Sequence, residues 1–377
     1  MNNSYYYRRE FWKNLSGKSL IKLGLAIFFT FSSIGFISDL LSGGRYLDWY
    51  VVFNVIFSGL IGVGYALGAI RNWKWIPIVL GTHLAVAIIL PSTTIVIENI
   101  VIEISKVRLI VDSAGILAMV MLGYMFFIIF ITGEGIPQVQ LKTEIDLARK
   151  MHDVLVPEIE IRDRRFHIFG KSQPYLEVGG DLIDVYQKDD ILVCYTADVS
   201  GHGVAASLLM GMFKSAVHTA LSKSLSLQDL VNTCNQVLNQ LKKPTMFLTF
   251  SAIRFDGTNL VEFSVAGHLP ILHYRADENK IEELIIKQIP VSVKKDYNFL
   301  TRKAQFNRGD IFLFLSDGLT ETNDKNGIEF GMENIKKILL ENARLPLSEI
   351  YNVVTGTIEK YGTQKDDQSL MIVKNIV

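Results

Sequence analysis

The stretch Ile191-Leu192-Val193-Cys194-Tyr195-Thr196-Ala197-Asp198-Val199-Ser200-Gly201-His202-Gly203 decides how the C-terminal part of this chain folds. The apolar run Ile191 to Ala197, closed by a glycine-containing turn, reads as a buried strand. Asp198 follows directly on it. Gly201 and Gly203 permit a tight turn, and the small and apolar residues from Ala205 to Leu221 then read as a helix. The same placement of carboxylates recurs along the chain. Asp181 ends the turn Val178-Gly179-Gly180-Asp181, Asp317 follows the run Ile311-Phe312-Leu313-Phe314-Leu315-Ser316, and Asp366 and Asp367 precede a final strand, Leu370 to Val373. One such aspartate alone is an ordinary turn former or helix cap. Several in register with strand ends can converge on one rim of a sheet. Oxygen ligands of that kind suit a hard divalent cation, with water filling its remaining positions. Two such ions clamp a phosphate and turn a bridging water into a nucleophile near neutral pH, so no Ser or Cys nucleophile is required.

Around these carboxylates, Phe247–Phe255, Leu260–Ala266 and Ile271–Tyr274 read as further strands, and Leu227–Leu241 as a second helix. Many short strands flanked by helices predict layered sheets covered by helices, an α/β domain. Upstream, Leu141 to Val156 reads as an amphipathic helix with Ile145, Ala148, Leu155 and Leu147, Met151, Val154 at spacings of three and four, ended by Pro157. Its stripe suits either packing on the following domain or pairing with the same helix of a second copy, a homodimer.

Further upstream lie four apolar runs, Ser19–Leu41, Asp48–Ile70, Ile76–Ile97 and Leu109–Thr132, each about as long as the roughly 20 residues that cross a bilayer. They predict an all-α transmembrane region of four helices in contact with lipid. Arg8, Arg9, Lys13 and Lys18 precede the first run, and Arg71 and Lys74 follow the second. The excess of basic residues puts both segments, and everything from Gly133 on, in the cytoplasm of a multi-pass plasma-membrane protein. Trp49, Trp73 and Trp75 stand at helix ends as interfacial anchors do. Within the runs, Lys22 and Asp112 lie near ends and can snorkel, while His83 is mid-helix and reads as a neutral imidazole bonded to a neighbouring helix. The expected division is a tail at 1–18, the transmembrane region at 19–132, a connector at 133–157 and the catalytic domain at 158–377.

Composition agrees. Lys+Arg and Asp+Glu each number 38 among 377 residues, so the net charge is zero and nucleic acid is not an expected partner. The mean hydropathy of +0.27 is high for an ordinary soluble chain. Two cysteines, Cys194 and Cys234, form no disulfide framework and suit a reducing compartment. The polar, aromatic N-terminus shows no cleavable signal pattern.

The segments Glu177-Val178-Gly179-Gly180-Asp181-Leu182-Ile183-Asp184, Asp198-Val199-Ser200-Gly201-His202-Gly203-Val204-Ala205-Ala206, Ala266-Gly267-His268-Leu269-Pro270, Ser316-Asp317-Gly318-Leu319-Thr320-Glu321 and Asp366-Asp367-Gln368-Ser369 carry a resemblance. In that order they resemble the SpoIIE/RsbU-like branch of the metal-dependent protein phosphatase (PPM) family, across nearly all of the chain beyond the connector. The resemblance implies an α-β-β-α sandwich, a centre of two Mn2+ or Mg2+ ions, and serine/threonine phosphatase activity. The usual substrates are phosphorylated anti-sigma-factor antagonists. Carried over, Asp198 is the metal-bridging carboxylate and the Val199 carbonyl a further ligand. Asp181 orients metal-bound water or binds metal, and Asp317 and Asp366 complete the site. Asp367 is the alternative last ligand, Asp366 standing at the head of the motif. His202 and His268 fall on signature positions with structural roles. Two departures remove no ligand. Pro290-Val291-Ser292-Val293 replaces a Pro-Leu-Gly-like turn, and Gln368 replaces an apolar residue. Two other readings compete. A kinase-like receptor with His152 as phospho-acceptor leaves the carboxylates without a role. A scaffold that binds a sigma-regulator without dephosphorylating it leaves the ligand set unused.

Overall fold

The computed structural model describes residues 15–43, 47–89, 105–201, 203–223, 226–242 and 245–377. It divides into two compact units, Met1–Lys142 and Thr143–Val377.

In the first unit, helices α1 (Gly17–Leu41), α2 (Asp48–Arg71), α3 (Ile76–Ile89) and α4 (Lys106–Phe130) follow one another. A 3-10 turn, Trp73–Trp75, joins α2 to α3. A π turn, Ile131–Gly135, carries α4 without a break into α5 (Ile136–Leu155). Glycines set the packing. A side chain at Gly35 would strike the Val55 backbone, one at Gly59 would strike Phe28 and Ser32, and one at Gly123 would meet Thr30 and the Ala26 carbonyl. Such small residues let apolar helices approach one another closely. The stretches Gly17–Leu41, Asp48–Ile70 and Lys106–Leu155 are long and apolar enough to cross a membrane. The expected run Ile76–Ile97 is helical over Ile76–Ile89, and its remainder lies outside the described residues, as do Arg8, Arg9 and Lys13. The His83 ring stands 3.4 Å from the Tyr65 hydroxyl of α2, a neighbouring-helix bond as expected. Asp112 differs from expectation: it is buried at 2% exposure instead of reaching an interface. Close by, the Arg108 guanidinium pairs with Asp39 at 2.7 Å and Asp48 at 3.1 Å, tying α4 to α1 and α2.

The second unit runs β1 (Ile159–Arg162), β2 (Phe166–Gln173), β3 (Asp181–Lys188), β4 (Ile191–Val199), α6 (Val204–Ser222), α7 (Leu227–Leu241), β5 (Leu248–Phe255), β6 (Leu260–Ala266), β7 (Ile271–Arg275), β8 (Lys280–Leu284), β9 (Arg302–Gln305), β10 (Ile311–Leu315), the short α8 (Asp317–Thr320), α9 (Met332–Asn342), α10 (Leu347–Tyr361) and β11 (Gln368–Asn375). One sheet has the order β1-β2-β11-β10-β7-β8 and the other β3-β4-β5-β6-β9. Their ladders are antiparallel. β10 shows how the layers are cut. Its alternate residues Ile311, Leu313 and Leu315 join the core under α9 and α10, while Phe312 and Phe314 join the core that holds the second sheet, α6 and α7. The result is the expected α-β-β-α sandwich. Helix α6 is also apolar and long enough to span a bilayer, but it serves as a core helix, with Leu209, Met210, Phe213 and Val217 buried.

Element boundaries shift where polar groups pair. The strand read as Ile191–Ala197 continues through Asp198 and Val199, because Asp198 lies opposite Asp181 on one side and Thr249 on the other. At the connector, Ile145 and Ala148 are half-buried and His152 is buried, whereas Leu147, Met151 and Val154 are exposed at 60, 61 and 77%. Leu155 packs against the core of the second unit.

Candidate active site

Two strand pairs deliver the acidic residues. Asp181 opens β3 and Asp198 nearly ends β4, directly opposite each other. In the other sheet, Leu315 at the end of β10 faces Leu370 in β11, so Asp317, just past β10, and Asp366, just before β11, meet at the same end. Electrostatics joins the two pairs. Burial, then Asp317, Asp366 and Asp367, push the Asp198 carboxyl up to about 7. Burial, then Asp198 and Asp367, raise Asp181 well above the usual carboxylate range. Burial followed by Asp366 raises Asp317. Burial is the strongest influence on each of the three, followed by a neighbouring carboxylate, and among the described residues no group of three or more His, Cys, Asp or Glu side chains is already drawn together closely enough to hold a metal ion. The donors gathered at this rim are carboxylate oxygens from both sheets. That set fits hard divalent cations that retain several waters.

The neighbouring backbone is fixed tightly. Asp181 Oδ2 accepts from the Ser369 hydroxyl at 2.7 Å. The Asp367 carboxylate is fully engaged elsewhere, accepting from the Tyr175 N–H at 2.8 Å, Gly180 N–H at 2.7 Å and Asp181 N–H at 3.4 Å. Asp366 is exposed, and one of its oxygens accepts the Asp367 N–H at 2.8 Å. The two neighbours therefore have different surroundings: one carboxylate holds a loop, the other faces solvent at the rim. A Cβ at Gly180 would press on the Val199 carbonyl at 3.0 Å, and Gly201 and Gly203 adopt φ of +98° and +80°, which favours glycine. His202, between them, lies outside the described residues. His268 shares a 2.7 Å bond with the Thr249 hydroxyl, and burial lowers its pKa to about 4, so the ring is neutral.

Three features escape sequence reasoning. Asp184 points to the opposite face of β3 from Asp181 and binds the Tyr195 hydroxyl at 2.6 Å, His218 at 2.6 Å and Lys214 at 3.1 Å. Burial alone would raise this carboxyl, yet those bonds hold it below its ordinary value. Ser292, at the departure from the Pro-Leu-Gly-like turn, keeps a left-handed φ of 68°, held as its N–H donates to Asn235 at 2.7 Å. Finally, His152 is 3% exposed with its ring buried, which removes it as an accessible phospho-acceptor.

Helical layers enclosing two antiparallel sheets, with aspartates from both sheets at one rim, define a phosphatase domain of the PP2C type. The SiaA-PP2C domain of Pseudomonas aeruginosa shares the fold with a TM-score of 0.55 at 19% identity, over 63% of this chain and 98% of that one. The RsbU and RsbW domains of a Mycobacterium tuberculosis protein give a TM-score of 0.51 at 21% identity, covering 59% of this chain and 62% of that one. This chain thus spans less than two thirds of the latter's length. Residues 188–375 match the family model for Stage II sporulation protein E (SpoIIE). Phosphoserine phosphatase RsbU of Bacillus subtilis (strain 168) is 25% identical over 264 residues, 69% of this chain and 78% of that protein. The C-terminal domain is a SpoIIE/RsbU-like PPM protein phosphatase.

Proposed function

We propose that this chain is a membrane-anchored serine/threonine phosphatase, dependent on two Mn2+ or Mg2+ ions, that dephosphorylates a regulator of the anti-sigma-factor-antagonist kind. The observation that carries the reading is the acidic rim, where strand ends of both sheets bring Asp181, Asp198, Asp317 and Asp366 together and burial, then Asp317 and Asp366, push up the Asp198 carboxyl. Asp198 would bridge the two ions, the Val199 carbonyl would add a ligand, and Asp181, Asp317 and Asp366 would complete the set. Such ions supply Lewis acidity toward the phosphate and an activated water at neutral pH. The chain's own residues hold that geometry. Ser369 orients the Asp181 carboxylate, and Asp367 fixes the Tyr175–Asp181 backbone from behind. The engagement of Asp367 supports Asp366 as the last ligand. Substrate class rests on the resemblance to RsbU.

The apolar N-terminal helices support anchoring, and Arg71 at the end of α2 with Lys74 beyond it supports a cytoplasmic catalytic domain. Met151, Val154 and Leu147 form an exposed apolar face on α5, which supports pairing with a second copy. The test is phosphate release from a phosphoserine peptide by the full-length protein in detergent. Turnover should require added Mn2+ or Mg2+ and stop in excess chelator. Undiminished turnover with chelator present would sink the two-ion reading.

A further inference from the structure

The turn that bears Asp317 is a weak element by itself. Helix α8 has only the four residues Asp317–Thr320, too few for helical hydrogen bonding to hold it unaided. It also carries a carboxylate against its own interest, since Asp366 repels Asp317 across the rim. Something must hold the turn against β11.

Part of the hold is backbone contact. A side chain at Gly318 would collide with the Asp367 carbonyl and the Asp366 main chain, so the two acidic segments touch directly. On the near side of the turn, Ser316 Oγ accepts from the Ser369 N–H at 2.9 Å and donates to the Asp367 carbonyl at 3.1 Å. On the far side, two side chains add to the backbone bonds from the Gly331 N–H to the Thr320 carbonyl at 2.8 Å and from the Phe330 N–H to the Thr322 carbonyl at 2.9 Å. The Gln368 amide donates to the Gly318 carbonyl at 3.2 Å and to Thr322 Oγ1 at 3.0 Å. Thr322 in turn donates to the same Gly318 carbonyl at 2.8 Å. Gln368 and Thr322 are 7% and 2% exposed, so the triangle is shielded from competing water. An apolar side chain of similar length would fill the space and make neither bond.

Resting on the two-ion reading above, we infer that Gln368 is a positioning residue for cation binding: with Thr322 it braces the Asp317 turn against β11 and fixes the spacing of Asp317 and Asp366. The brace touches neither substrate nor ion. It acts by holding two like charges at binding distance before a cation arrives, so its effect falls on cation affinity more than on turnover at saturating cation. Groups one step behind a ligand commonly change metal affinity by about 10- to 100-fold.

The test measures Mn2+ binding to the full-length protein in detergent by isothermal titration calorimetry, with Mn2+ alone as the probe. Gln368→Leu should weaken Mn2+ binding by about tenfold, with turnover at saturating Mn2+ close to that of the unaltered protein. Thr322→Val removes the other arm of the brace and should weaken binding in the same direction, giving a second route if Gln368→Leu does not fold. In an Asp317→Asn background, Gln368→Leu should add little further loss, since the side chain works through Asp317. Unchanged Mn2+ affinity in a folded Gln368→Leu or Thr322→Val protein, or an undiminished loss in the Asp317→Asn background, overturns this inference alone. Failure of the unaltered protein to bind Mn2+ overturns both it and the two-ion reading.

Discussion

Asp198 lies between Asp181 and Thr249 across two strand pairs, so its backbone cannot move without shifting the centre of the sheet. Asn keeps that shape and removes the charge. Asp198→Asn should cost at least about a hundredfold in turnover, since each tenfold corresponds to 1.36 kcal/mol and ionic stabilisation is worth several. Without added metal the same variant should melt no lower than the unaltered protein, because the carboxylate it removes is already raised by burial and by Asp317. Near-normal activity in Asp198→Asn would displace the site. Asp366 and Asp367 separate differently. Asp367→Ala leaves three backbone N–H groups without their acceptor, a loss of about 2–3 kcal/mol or more that a thermal melt would register. Asp366→Ala should leave the melt nearly unchanged and weaken Mn2+ binding. The reverse pattern would exchange their roles.

Legibility in the sequence followed burial. β4 and β10 were readable because Leu192–Ala197 and Ile311–Leu315 are buried on both faces and so are apolar apart from Thr196. β8 and β9 were not: Lys280–Leu284 and Arg302–Gln305 are edge strands, largely polar, and take their strand identity from a neighbour. The carboxylates at strand ends were visible as a pattern. The distinct roles of Asp366 and Asp367 were not, because identical side chains are told apart only by donors that chain topology brings from Tyr175–Asp181. At the connector, spacing revealed two apolar rows but not which one is covered. The covered row includes Ala148 and Leu155, leaving Leu147, Met151 and Val154 outside. If that face pairs two copies, Met151→Glu with Val154→Glu should abolish self-association in sedimentation of the detergent-solubilised protein, while the fold is retained. Association that survives both charges would argue that the copies do not meet there.

For the whole molecule, topology across a membrane can be read directly. A reporter at Asn72 or after Val377 should behave as cytoplasmic, and one at Gly44 as external. A cytoplasmic signal at Gly44 would mean that the first two apolar stretches do not cross separately. The sheet order has a consequence during synthesis. β2 lies between β1 and β11, and its ladder with β11 pairs Gln173 with Gln368 and Phe166 with Asn375. A nascent chain on the ribosome can therefore pair β3 through β6, but its first sheet stays open until β11 emerges. Such distant pairing is slow to close. Asp366 stands just before β11, so on the two-ion reading a chain stopped before Asp366 lacks one member of the acidic rim and should release no phosphate.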